Sequence, residues 1–303
     1  MHIRYGYTID VVFDRSADLV TRLDIHMSRR SDITEPDDML VTALADGAVV
    51  ASGDIEQDRF GNLCRRLAVP AGGVRLAAEG IVYDSGFTDP PPPDGRILPP
   101  EQLSPDVRAF LDDSPLCATP RFAPVAKVLL AERPAGPTTI QAIIDHVHDH
   151  LRFDPGRGRP GRTAEEAYDD QAGGSEDFAQ VAVALCRAAG IPARYCTGYH
   201  ADIGPAQELQ PGFNAWFDAH LDGRWWAFDA RTNAPRIGRI LVARGRDSSD
   251  VSILSSAGTY HLAGFEISAD EVTGARFPVT SRERRARWTG HETATAAKLA
   301  PSR

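Results

Sequence analysis

The sequence has few lysines, few cysteines and no long apolar segment. Only two of its 33 basic residues are lysines, Lys127 and Lys298, a bias typical of a GC-rich bacterial genome. The net charge of −9 disfavours nucleic acid or an anionic membrane as a partner, because both require basic surface. No apolar run approaches the roughly 18 residues that span a bilayer, and the N-terminus shows no signal-peptide pattern. We therefore expect a cytoplasmic protein.

Cysteine spacing gives no recognisable site. Cys64, Cys117, Cys186 and Cys196 include no C-x-x-C pair, which argues against a zinc ribbon or thioredoxin-type redox centre, so free thiols are expected. His146 and His150 would share a helical face and suggest a metal. The pattern offers no third ligand, and a solvated helix face is favoured, so we expect neither a metal nor another cofactor.

Composition divides the chain into four segments. Residues 1–88 contain short runs rich in Val, Ile, Leu and Tyr, separated by turn signals, which predicts an antiparallel β-sandwich. Residues 89–115 begin with four consecutive prolines between aspartates and are predicted as a linker. Residues 116–275 mix helical and strand patterns, and residues 276–303 are predicted as a partly disordered tail. The expected strands of the first segment are His2 to Phe13, Asp18 to Met27, Met39 to Ile55, Cys64 to Val69 and Val74 to Ser85.

Helix and hairpin signals are clear in the third segment. Apolar spacing predicts a helix over Thr138 to Phe153, a capping box starting at Thr163 predicts another, and a third should begin near Ser175. Asp222-Gly223 suits a type I′ turn and predicts a β-hairpin. That turn would place Trp216 opposite Asp229, with Asn214 as a diagonal neighbour on the same face.

Two stretches resemble the transglutaminase-like family. Residues 173–179 read GGSEDFA, and residues 190–195 read GIPARY; the family has a segment of the form G-x-C-R-D-F-A before a helix that ends in G-I-P-A-R-Y. Residues 213–218 read FNAWFD and residues 223–229 read GRWWAFD, where the family has a histidine before A-W-x-E and then G-R-W-x-x-F-D. The resemblance implies an α+β fold with a papain-like core behind the β-sandwich.

The resemblance also implies a substituted catalytic triad. The family's cysteine falls on Ser175, its histidine falls on Asn214, and its aspartate is retained as Asp229. Asparagine cannot accept a proton as imidazole does, and serine at a helix N-terminus ionises far less readily than cysteine. Thiol acyl transfer is therefore not available at these positions. The plainer hypothesis for Ser175 is that it only caps the helix.

Other side chains offer replacement roles. His200 and His220 are candidate bases, although histidines in such strands more often face solvent or pack in the core. Glu176 and Asp177 follow Ser175 directly; Asp177 occupies a position that is aspartate in the family motif, so a structural role is favoured for it. The aromatic wall around Trp216 could belong to a cleft or to the core. Cys196 is a candidate nucleophile but is expected to be packed. The carboxylates of Glu176, Asp177 and Asp229 could serve acid–base chemistry if burial raised the pKa of one of them.

Two functions remain open from the sequence. One is a diverged enzyme that acts on an acyl, amide or small biosynthetic substrate without a thiol. The other is an inactive family member that binds a peptide, small molecule or partner protein in the old cleft. A deliberate laboratory inactivation would explain serine in place of cysteine, but it does not explain the second change to asparagine.

Overall fold

The structure is a computed structural model, and it describes residues 1–36, 38–88, 95–131, 136–201, 203 and 212–273. The proline run of the predicted linker, residues 89–94, and the tail predicted from residue 276 lie outside these ranges. Within the described residues, no helix is both long enough and apolar enough to cross a membrane.

Short strands make up the N-terminal part, as its alternating pattern predicts. In β1, every odd-numbered residue from Ile3 to Phe13 is buried, so one face of this strand packs against the core. The predicted run from Asp18 to Met27 is a strand only at its start, because the chain turns into a short 3₁₀ helix at Met27–Asp32. The strands in the described part of residues 1–88 are β1 (His2–Phe13), β2 (Ala17–Thr21), β3 (Ile33–Glu35), β4 (Leu40–Ala43), β5 (Val49–Val50), β6 (Ile55–Gln57), β7 (Leu63–Val69) and β8 (Val74–Tyr83).

Helices and strands then alternate through the core. The capping box at Thr163 is confirmed: its hydroxyl accepts the Glu166 N–H, and the Glu166 carboxylate accepts the Thr163 N–H. The helix predicted to reach Phe153 ends at His150, because Leu151 is extended and the next two residues pair with another strand. The elements are α1 (Pro105–Arg108), α2 (Ala123–Leu130), α3 (Pro137–His150), β9 (Arg152–Phe153), α4 (Ala164–Asp170), β10 (Ala172–Gly173), α5 (Ser175–Ala188), β11 (Ala193–His200), β12 (Phe213–Leu221), β13 (Arg224–Phe228) and β14 (Arg239–Gly245).

The core sheet has the antiparallel order β13-β12-β11-β14. The hairpin predicted at Asp222-Gly223 is confirmed: both residues have positive φ, 48° and 81°, and Leu221 pairs with Arg224. Helix α5 packs against β11 and β12 and is flanked by α3 and α4. Its residues 178–187 are all buried, so α5 is the central helix of the core.

The last two strands return to the N-terminal sheets. They are β15 (Leu254–Ser256) and β16 (Tyr260–Glu271). Strand β16 pairs with β1 along almost its whole length, and β15 pairs with β2, giving antiparallel sheets with orders β16-β1-β8-β4-β5 and β15-β2-β7-β6. Residues 254–271, which the sequence pattern assigns to the core segment, thus cover strand edges that would otherwise be unpaired. The face-to-face sandwich of the two sheets stays a prediction.

His26 is a buried histidine that links two N-terminal loops. Its Nδ1 accepts the Ser28 N–H at 3.0 Å, which leaves Nε2 to donate to the Phe60 carbonyl, also at 3.0 Å. Protonation of Nδ1 would break the first of these bonds. Burial lowers the pKa of His26 to about 4.

This histidine should make the protein sensitive to mild acid. The unfolded chain binds a proton on His26 below pH 6.5 while the folded protein does not, so the free energy of unfolding should fall between pH 6.5 and 4. The loss from His26 should be about 2 kcal/mol at pH 5 relative to pH 7. Urea denaturation of the native protein and of His26→Gln across this range measures it. Equal losses in both proteins would contradict the assignment.

Candidate active site

Ser175 is the first residue of α5 and lies against strand β12. Its Oγ accepts the N–H of Ala215 at 3.2 Å and lies 3.4 Å from Oε2 of Glu176. The side chain is largely buried. The helix cap is Gly174, so the hypothesis that Ser175 serves only as the cap is wrong. Its hydroxyl instead joins the helix to a strand 40 residues further along the chain.

Asp177 fixes the start of the same helix. Its carboxylate accepts the N–H of Gly174 at 2.8 Å and the Arg162 guanidinium at 3.1 Å. Burial raises the pKa of Asp177, and these two hydrogen bonds oppose that rise. Because Asp177 and Arg162 are both buried, this pair anchors the turn that presents Ser175. Asp177 therefore positions the site.

Asn214 lies beside Ser175 at the start of β12. It directly precedes Ala215, whose N–H reaches the serine oxygen. The Asn214 side chain is buried, and its Nδ2 donates to the Gly212 carbonyl at 3.2 Å. A carboxamide at this point can donate and accept hydrogen bonds but cannot take a proton from the serine.

Asp229 follows the last residue of β13. The ladder ends with Phe217 paired to Phe228, so its next step would set Trp216 opposite Asp229. The side chain is buried, and Oδ1 accepts the N–H of Thr232 at 3.0 Å. Ser175 thus contacts the start of β12, and Asp229 follows β13, the strand that pairs with β12.

His200 is the last residue of β11 and is buried close to Asp229. Burial lowers the pKa of His200 to about 3, the charge of Asp229 opposes this shift, and the charges of Arg236 and Arg239 add to it. Its imidazole is therefore neutral at pH 7. Among the described residues, no hydrogen-bond partner reaches its buried Nε2. Buried polar atoms without a partner are exceptional in folded proteins, so Nε2 of His200 is available for a hydrogen bond to a ligand.

Glu176 is the carboxyl group nearest the serine hydroxyl. The side chain is exposed to solvent, yet protein atoms crowded around it raise its pKa by partial desolvation. The adjacent charge of Asp177 adds to the rise, and Arg231 opposes it. The sequence pattern had not singled out Arg231 for this role, nor the N–H of Ala215, which carries no side-chain signal at all.

Three predicted candidates are packed against residues other than Ser175. His220 is six residues from Asn214 along β12, about 20 Å at 3.3 Å per residue, and packs edge-on against Trp225. Cys196 is fully buried in β11, and burial raises the pKa of its thiol well above the usual value. Trp216 is buried under the guanidinium of Arg239, 5.7 Å from the ring centre.

The histidines of α3 are engaged by one tyrosine. His146 Nε2 lies 2.9 Å from the Tyr168 hydroxyl, and His150 Nε2 lies 2.8 Å from the Tyr168 carbonyl. The His150 ring stacks on the Tyr168 ring at 3.9 Å. Across the described ranges, no group of three or more His, Cys, Asp or Glu side chains could hold a metal ion.

Comparisons with known proteins support a transglutaminase-like core. Residues 126–230 match the model of the transglutaminase-like superfamily, and this span contains Ser175, Asn214 and Asp229. A crystal structure from Cytophaga hutchinsonii, named a "Putative Cysteine Protease", is 20% identical, with a TM-score of 0.74 over 93% of this chain and 94% of that chain. It shows that the fold is shared.

Other structural matches have TM-scores too low to support a conclusion about this chain. The periplasmic domain of TgpA from Pseudomonas aeruginosa bound to ethylmercury is 14% identical, with a TM-score of 0.38 over 75% of this chain and 90% of that chain. A second structure of the same domain is also 14% identical, with a TM-score of 0.37 over 74% of this chain and 93% of that chain. No curated protein matches the sequence.

Proposed function

We propose that this chain, which carries a transglutaminase-like domain, is a diverged enzyme that acts on an acyl or amide substrate without a thiol nucleophile. The observation that carries the proposal is the contact of the Ser175 hydroxyl with both the Glu176 carboxyl and the Ala215 N–H. A small molecule, including a biosynthetic intermediate, or a peptide is the proposed substrate, and a cytoplasmic location belongs to the same proposal.

A thioester route needs an activated thiol and an imidazole base. The thiols of Cys117, Cys186 and Cys196 are fully buried, and burial raises the pKa of Cys117 and Cys186 to about 12. The imidazole that would activate a nucleophile is replaced by the amide of Asn214. A nucleophile with an unshifted pKa needs a base within hydrogen-bond reach, so the remaining base must be a carboxylate or His200.

Glu176 is the proposed general base. Its raised pKa moves it toward the working range of an acid–base group, and a modest movement would bring its 3.4 Å contact with Ser175 to hydrogen-bond length. Negative charge on the serine oxygen would be stabilised by the Ala215 N–H and by the N-terminus of α5. The neutral imidazole of His200, which lies close to Asp229, supplies a second place for a proton.

A binding function without turnover is the second candidate. It is favoured by the side-chain amide of Asn214, which is held by the Gly212 carbonyl. In that case the cleft would hold a peptide, a small molecule or a partner protein, and Ser175 would only brace α5 against β12.

Substitution at the start of α5 tests the proposal. Ester and peptide-amide model substrates should be turned over by the native protein. Glu176→Gln, Ser175→Ala and Asp229→Ala should each lower kcat/KM, with about a 100-fold loss for removal of the base. Glu165→Gln, a matched change in the first turn of α4 at an exposed position, should leave turnover unchanged.

The outcomes separate the two functions. Native turnover that iodoacetamide does not inhibit and that falls in Glu176→Gln supports the enzyme. Turnover that survives all three substitutions would refute the site assignment. A native protein without turnover on a broad ester and amide panel supports the binding function.

A further inference from the structure

An arginine-rich pocket lies where the N-terminal strands meet the core sheet. Its volume is about 480 Å³, within the range of small-molecule sites. The described residues that line it come from the segment after β2, from the end of β8 and from the core sheet, and they do not include Ser175 or Asn214. We call it the arginine pocket, after Arg29, Arg194, Arg236, Arg239 and Arg244.

The carboxylates of this pocket are already engaged. It contains three aspartates against five arginines. Asp218 lies 2.8 Å from Arg194, while Asp32 and Asp84 lie 2.5 and 3.8 Å from Arg29. All three carboxylates therefore meet only two of the arginines.

Arg244 takes no part in these three ion pairs. Its Nε donates to the Phe60 carbonyl at 3.1 Å, but no carboxylate of the described residues forms an ion pair with it. Burial lowers the pKa of Arg244, and the charge of Arg194 lowers it further. The charges of Asp218 and Asp58 only partly oppose this lowering. An anion that joins the two neighbouring guanidinium groups would therefore be favourable.

Aromatic surfaces stand beside these charges. The guanidinium of Arg194 lies 4.2 Å from the ring centre of Trp225, which also lines the pocket. Tyr83 and Phe87 add two partly exposed rings, 48% and 65% accessible. A ligand with a charged end and a flat apolar body would match both features.

We propose that the arginine pocket binds a small organic acid, with its carboxylate on the free guanidinium of Arg244 and an aromatic or apolar body against the rings. A carboxylate accepts two parallel hydrogen bonds from a guanidinium, and its negative charge would complement the excess of arginines over aspartates in the pocket. The proposal concerns a site apart from Ser175 and does not depend on turnover there.

Benzoate, benzamide and inorganic phosphate are the probes. At constant ionic strength, benzoate should change the fluorescence of the two pocket tryptophans, Trp216 and Trp225, in a saturable way and raise Tm. Benzamide, which has the same ring without the charge, should do neither. Isothermal titration calorimetry should show benzoate binding at least tenfold more tightly than phosphate.

Arginine variants locate the binding. Arg244→Gln should weaken benzoate binding at least tenfold. Arg224→Gln is the matched control, because Arg224 lies 4.7 Å from the Trp226 ring outside this pocket and is exposed; it should bind benzoate normally. If Arg244→Gln does not fold, quenching of the native protein by iodide and acrylamide decides: benzoate should protect against iodide selectively.

Three results would overturn the proposal. They are equal responses to benzoate and benzamide, binding of phosphate in preference to benzoate, and unchanged benzoate affinity in folded Arg244→Gln. Absence of selective protection from iodide overturns it where the variant does not fold.

Discussion

The double substitution Ser175→Cys with Asn214→His should introduce thiol chemistry that the native chain lacks. A thiol at the N-terminus of α5 would have a lowered pKa, since helix N-termini favour the thiolate. The imidazole would enter next to it, because Ala215, the residue after Asn214, already touches the Ser175 oxygen at 3.2 Å. Asp229 remains buried near by. We expect alkylation by iodoacetamide at pH 7 about tenfold faster than for an unperturbed cysteine, and a burst of product from an activated ester.

The single substitutions are the controls for this experiment. Ser175→Cys alone should react with iodoacetamide but turn over ester slowly, and Asn214→His alone should show neither behaviour. Cys64, which is only half-buried, should be replaced by serine in every variant to lower the background. A double variant no more reactive than Ser175→Cys would show that the two positions do not share a site.

Loss of the Asp177 carboxylate should destabilise the protein by about 3 kcal/mol, the lower end of the usual cost of removing one partner of a buried ion pair. Arg162 is 3% exposed and would lose its buried partner, keeping only the half-exposed Asp170. The N–H of Gly174 would lose its acceptor as well. Urea denaturation of Asp177→Ala at pH 7 measures the change in the free energy of unfolding.

An exposed ion pair provides the comparison for that measurement. Arg121 and Asp169 lie 2.8 Å apart with side chains 41% and 53% exposed, so Asp169→Ala should cost less than about 1 kcal/mol. Similar losses in both variants would mean that the Asp177 pair does not anchor α5. Since Asp177 holds the turn before Ser175, we also expect Asp177→Ala to impair whatever the site does.

Local patterns predicted much of the site's framework. The helix starting at Ser175, the capping box at Thr163 and the type I′ turn at Asp222 each depend on neighbours within four residues, so the sequence shows them directly. The choice between Gly174 and Ser175 as the cap could not be predicted in this way. It depends on the hydroxyl of Ser175 meeting Ala215, a contact formed only when the helix packs on the sheet.

The sequence alone determined which residues occupy positions 175, 214 and 229. It also determined the periodicity of the helices and strands, because neither feature needs a distant partner. Tertiary structure decided the rest: the union of β16 with β1, the burial of His200 beside Asp229, and the gathering of arginines around Arg244. These features join segments up to 268 residues apart, the separation of Ile3 in β1 and Glu271 in β16. These pairings depend on the sheet faces and strand edges that local folding leaves uncovered. Uncovered faces and edges are a property of the whole packed molecule.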